Sequence, residues 1–130
     1  MKKIITITLT LLLLTGCGNK ITCKTNKDDI RETYKIKYNN NTITNVETIK
    51  TYKFNTKAEF KNYEGIMRHT TVSNTTDNIK SSYKKKNKKY ILKQIFDVEK
   101  LTDEELTKYG LSKNKEEFVN NLKNNGLKCK

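Results

Sequence analysis

The sequence predicts an α+β domain: an antiparallel four-stranded sheet with helices packed on one face, in the order β-β-α-β-β-α-α. Three features carry that expectation. Period-two apolar runs mark paired strands, Thr-x-x-Glu motifs open segments with helical apolar spacing, and short Asn, Lys or Gly clusters separate the elements. From Ile30 to Tyr38, Ile30, Tyr34, Ile36 and Tyr38 share one parity while Lys35 and Lys37 fall on the other. That alternation is expected of a strand half buried against a core. Asn39-Asn40-Asn41 turns the chain, because Asn tolerates left-handed backbone angles. A second strand runs from Thr42 to Phe54, with Ile43 and Ile49 on the opposite parity from Val46, Tyr52 and Phe54. A bulge or a change of buried face is expected there.

Thr56-Lys57-Ala58-Glu59 is a capping-box pattern, and Phe60, Tyr63, Ile66 and Met67 supply the apolar stripe of the helix that follows. This helix fades among Thr70, Thr71, Ser73 and Asn74. The second strand pair covers Ile79–Lys84 and Lys89–Val98, with Tyr90, Leu92, Phe96 and Val98 assigned to one face. Thr102-Asp103-Glu104-Glu105 repeats the capping box and opens a short helix that Gly110 stops. Asn114 caps a last helix containing Phe118, Val119 and Leu122, and Gly126 ends it just before Cys129.

A chain of 130 residues allows one domain and excludes a large multidomain enzyme. Lys plus Arg number 27 against 14 Asp plus Glu, a formal charge of +13, so the surroundings or partners are expected to be anionic. Hydrophobic residues make up only 34%, which limits the core.

The expected organisation is a cleaved signal peptide at 1–16, a lipidated N-terminus and tether at 17–29, and a single α+β domain at 30–130. Lys2 and Lys3 form a positive n-region. Ile4 to Leu14 is an apolar run too short for the roughly 20 residues that span a bilayer. It ends in Leu14-Thr15-Gly16-Cys17, which resembles the lipobox of bacterial lipoproteins. The resemblance implies that the Cys17 thiol receives a diacylglycerol, that the bond before it is cut, and that the mature chain is lipid-anchored on the extracytoplasmic face of the cell membrane. Two acyl chains anchor stably, whereas one binds only marginally.

Cys23 and Cys129 remain as an even pair in an oxidising compartment, where a disulfide is the expectation and free thiols or a metal pair are the alternatives. No His or third thiol lies close in sequence to complete a zinc site. A staple at Cys23 leaves Gly18 to Thr22 as a tether reaching at most about 18 Å.

The lipobox, the Thr/Tyr/Lys-rich strand pair of Glu32 to Phe54, a helix, a second strand pair, and a C-terminal helix ending Gly126-Leu127-Lys128-Cys129-Lys130 together resemble small YehR-like bacterial lipoproteins. That resemblance implies a fold and a location, and carries no catalytic residue.

The inventory for catalysis is thin, and no enzymatic activity or cofactor is expected. His69 is the one imidazole, placed in the polar tail of a helix, and no G-x-S-x-G elbow or phosphate-cradling glycine loop occurs. Asp97, Glu99, Asp103, Glu104 and Glu105 could suggest calcium, but they lack the spaced loop and turn glycine. Three of the five suit a helix's first turn instead. The sharpest surface signal is Lys84, Lys85, Lys86, Lys88 and Lys89 at a hairpin tip. It reads either as a solvated turn that discourages edge pairing or as a contact for an anionic lipid surface or phosphate-bearing wall polymer. Nucleic acid is a weaker partner, because charge alone supports only nonspecific binding and the tyrosines fall at core spacings. An envelope protein is a further possible partner. The expected function is therefore a lipid-anchored extracytoplasmic binding module with a basic face. A small-ligand-binding or hydrolytic protein with a cleft hidden from sequence is the alternative.

Overall fold

Six strands, three α-helices and one 3-10 turn follow from these local signals in a computed structural model that describes residues 19–26 and 30–130. The expected signal segment, the lipobox and Cys17 lie outside the described residues. The strands are β1 (Asn19–Asn26), β2 (Ile30–Asn39), β3 (Thr42–Lys53), β4 (Ile79–Lys86), β5 (Lys89–Asp97) and β6 (Lys128–Cys129). The helices are α1 (Lys57–Ser73), α2 (Asp103–Tyr109) and α3 (Lys115–Asn124), with the 3-10 turn at Val98–Lys100 before α2.

The strands form one antiparallel sheet in the order β4-β5-β3-β2-β1-β6. The α+β class and single antiparallel sheet match expectation, but the sheet has six strands rather than four. The extra strands are the first and last elements of the described residues. Residues expected to be tether are β1, which pairs with β2 from Asn19 opposite Tyr38 to Asn26 opposite Arg31. Ile21 and Cys23 are its only apolar side chains, too few to announce a strand in sequence, yet both point into the core. The tail Lys128–Cys129 adds to β1 with Cys23 opposite Cys129, and the two are disulfide-bonded with Cα atoms 4.0 Å apart. Thr22 and Lys130 exchange backbone hydrogen bonds beyond that pair.

A register shift between Lys37 and Tyr38 realises the expected bulge. It turns both Ile43 and Val46 inward although they are three residues apart, while Ile49 stays on the opposite face.

Thr56 Oγ1 accepts from the Glu59 amide at the start of α1, and the full reciprocal box forms at Thr102 and Glu105. Gly110, at φ 66°, closes α2 in the left-handed region. Asn114 caps α3, and Asn41 in the β2–β3 turn accepts from the Lys115 and Glu116 amides. That turn thereby fastens α3 across one end of the sheet. The helices and the inner sheet face enclose two apolar clusters. One gathers Cys23, Ile36, Val46 and Phe96 under Leu106, Phe118 and Leu122, and the other gathers Tyr90 and Leu92 under Met67 of α1.

Candidate functional site

Strand alternation sends one set of side chains into these clusters and the other set to the face that, among the described residues, no helix covers. On the inner face the register aligns Ile21, Ile36, Val46, Phe96 and Ile79 across five strands. Moving one residue along each strand aligns the open face. Lys20 and Lys24 stand on it from β1; Arg31, Lys35 and Lys37 from β2; Lys53 from β3; Lys80, Lys84 and Lys86 from β4; Lys89 and Lys93 from β5. Lys128 of β6, opposite Lys24, and Lys130, opposite Thr22, complete thirteen cations. All are exposed except half-buried Lys89.

Among the described residues the acids on this face are Glu47 and Asp97, and Glu47 sits 3.4 Å from Lys93. Glu59, Glu64, Asp103, Glu104, Glu105, Glu116 and Glu117 all lie on helices, across the sheet. The helices mix these acids with Lys57, Lys61, Arg68, Lys108, Lys115 and Lys123, whereas the open face is almost wholly cationic, which raises the local potential there above that of the mixed helix side. Ile49, Ile91 and Ile95 lie flush among the lysines, a surface along which the methylene stems can lie while their ammonium groups stay in water.

The face is not smooth. A hollow of about 330 Å³ opens over β1, β2 and β3, with Lys20, Thr22, Lys35, Lys37 and Glu47 among its walls. A second of about 500 Å³, at the β1–β6 edge, is lined by Thr22, Lys24, Thr25, Gly126, Lys128 and Lys130.

The hairpin lysines do not all stand on one face of the sheet. Lys84, Lys86 and Lys89 join the open face, whereas Lys85 points to the helix side and donates to Glu64 Oε1 of α1 at 2.7 Å. This bond, reinforced by charge, holds the Glu64 carboxyl below its ordinary value of 4.5 and lifts the Lys85 ammonium above its ordinary 10.5. Lys88 and Asn87 form the two-residue turn itself, both at positive φ (59° and 48°). With Lys57, Lys61 and Phe60 they border a groove of about 470 Å³ beside α1.

The tyrosines serve packing. Tyr34, Tyr52, Tyr83 and Tyr90 are on the helix side of the sheet. Burial raises the hydroxyl of Tyr34 to about 12, with Glu32 and Tyr52 adding to it; burial also raises Tyr52 and Tyr90. Tyr90 Oη donates to the Phe60 carbonyl at 2.6 Å. Among the described residues, no aromatic side chain stands on the open face of the strands. Asp103, Glu104 and Glu105 occupy the first turn of α2, and Asp97 pairs with Lys100 at 3.6 Å. Among the described residues, no three His, Cys, Asp or Glu are grouped to hold a metal, and no helix is long and apolar enough to cross a membrane. His69 is exposed on α1.

Sequence reasoning missed most of this surface, because its lysines occur singly rather than in a run. The available signal was parity: Lys35 and Lys37 between Tyr34, Ile36 and Tyr38, and Lys20 and Lys24 flanking Ile21 and Cys23.

No protein-family model matches the chain, and no curated protein does. A solved structure of similar fold is the NMR structure of a protein from Streptococcus pneumoniae TIGR4, with a TM-score of 0.52 and 14% identity over 86% of each chain. At that identity the likeness is one of fold alone, and what it establishes for this chain is an α+β architecture built on a single antiparallel sheet.

Proposed function

We propose that the chain is a noncatalytic, lipid-anchored binding module on the extracytoplasmic side of a bacterial membrane, and that its open sheet face engages an anionic macromolecule. The observation that supports the binding half is the gathering, among the described residues, of thirteen cations against two acids on a sheet face that none of the described helices covers. The address rests on the sequence: the Lys2/Lys3 n-region, the apolar run and Leu14-Thr15-Gly16-Cys17. Kinship with YehR-like lipoproteins belongs to the same proposal.

The groups with shifted proton affinity, all on the helix side of the sheet, support the noncatalytic reading. Burial and pairing drive Tyr34, Tyr52, Tyr90, Glu64 and Lys85 further into their ordinary charge states, opposite to what a proton-transfer group at neutral pH requires. Anchor placement disfavours the hairpin tip as the contact with the chain's own membrane. Only Gly18 separates Cys17 from β1, which begins at the end of the sheet opposite the tip. The eight steps between the nine residues of β5 span roughly 26 Å at about 3.3 Å each, about three Debye lengths at physiological salt.

Binding to dextran sulfate, with neutral dextran as control, tests the charge reading. Affinity should fall steeply and linearly on a log–log plot as salt rises. Equal binding to the two polymers at low salt contradicts it. Acylation of Cys17 is checked by the intact mass of the native product and its recovery in the detergent phase. An unprocessed chain in the aqueous phase removes the anchor from the account.

A further inference from the structure

We propose that the polyanion is a linear phosphodiester polymer without bases, of the poly(glycerol phosphate) kind, and that it lies in the two adjoining hollows over β1 rather than across the lysine-rich hairpin. The inference rests on the polyanion reading of the open face and adds a place and a chemical class. Thr22 lines both hollows, so they meet along β1 and form one track. Lys24, Lys128 and Lys130 line its outer part, and Lys20, Lys35 and Lys37 its inner part. The one acid on its walls, Glu47, is already neutralised by Lys93.

Three physical arguments select the ligand. First, adjacent strands rotate by roughly 20–25°, so six strands accumulate about 100° and the face is a saddle. A planar bilayer meets only a strip of such a surface, whereas a flexible chain can follow it. Second, same-face residues repeat every ~6.6 Å along a strand and ~4.8 Å across strands, which is the scale of successive phosphates along a polyol phosphate chain. Third, nucleic-acid binders of single strands use aromatic platforms for the bases, and the open-face residues of these strands supply only Lys, Arg, Thr, Ser, Asn, Ile and two acids. A polymer that presents phosphates and no rings uses all that the face offers. Lysine, a compact and rotatable charge, suits a ligand with no fixed geometry better than bidentate recognition would.

Two variants of the full chain in neutral detergent, each lacking four open-face charges, separate the track from the face as a whole. The track variant is Lys20→Gln, Lys35→Gln, Lys37→Gln and Lys128→Gln; the corner variant is Lys53→Gln, Lys80→Gln, Lys84→Gln and Lys86→Gln. With poly(glycerol phosphate) as probe, the track variant should lose about tenfold or more in affinity and the corner variant less than about threefold at equal salt. Amide shifts of the unaltered protein should concentrate in β1, β2 and β6, a readout independent of how the variants fold. Equal losses in both variants, or shifts concentrated in β4 and β5, overturn the track. Tighter binding to charge-matched single-stranded DNA or to phosphatidylglycerol vesicles overturns the ligand class. In either case retained binding to dextran sulfate leaves the charged-face reading standing, and only its loss removes both.

Discussion

Replacing both Cys23 and Cys129 with Ala opens a loop closed across a sequence separation of 106 residues. In the chain-entropy treatment a link of that length removes denatured-state freedom equivalent to about 5 kcal/mol. Residual structure in the unfolded chain lowers that figure, while the small void left where Cys23 is fully buried raises the cost again. The expected net loss is about 3–5 kcal/mol, a large share of the roughly 5–15 kcal/mol that holds a domain together. Without the bond, β6 is retained by the Lys24–Lys128 pairing and the two Thr22–Lys130 hydrogen bonds of 3.0 and 2.9 Å. Urea titration followed by circular dichroism should place the midpoint of the variant well below that of the oxidised protein and close to that of the reduced protein. A variant within about 1 kcal/mol of the oxidised protein refutes the idea that this staple compensates for a small core.

Lys88 holds a left-handed backbone at φ 59° in the β4–β5 turn, where Gly carries no steric cost, so Lys88→Gly should stabilise the domain by about 1 kcal/mol and raise its Tm by a few degrees. No change or a fall in Tm contradicts the cost ascribed to the left-handed backbone of Lys88 in that turn. Tyr34 titrates near 12 in the fold against 10.0 unfolded, so the neutral hydroxyl is favoured by folding. Its contribution is complete below pH 10 and is lost as pH rises through about 12. Tyr34→Phe should therefore flatten the decline in stability across that window, and an unchanged decline would assign the effect to other groups. The Glu64–Lys85 pair contributes between the ordinary carboxyl and ammonium values and is lost at both extremes. Glu64→Gln should accordingly leave binding by the open face intact, as measured by dextran sulfate affinity.

Where elements carried their own chemistry, they were legible without coordinates. Thr56, Thr102 and Asn114 cap helices at the positions expected, Gly110 stops α2, and the bulge in β3 follows from the parity conflict of Ile43 with Val46. β1 and β6 were not legible as strands, because neither buries enough side chains to impose a pattern. Their order comes from pairing and from Cys23–Cys129. The same reason hid the open face. A run such as Lys84 to Lys89 catches the eye, yet its members divide between two sides of the sheet, and Lys85 is taken up by Glu64. Lysines scattered at alternate positions on six strands become one surface only once register aligns them, and register is a long-range property.

The most direct test of the account pairs two variants with the same net charge. One carries Lys20→Gln, Lys35→Gln, Lys80→Gln and Lys84→Gln on the open face. The other carries Lys57→Gln, Lys61→Gln, Lys113→Gln and Lys123→Gln, on or beside the helices. The salt dependence of dextran sulfate affinity should become shallower by about one unit per lost contact in the first variant and stay as in the unaltered protein in the second. Indistinguishable slopes would mean that total charge alone governs binding, and the open sheet face would no longer be a site.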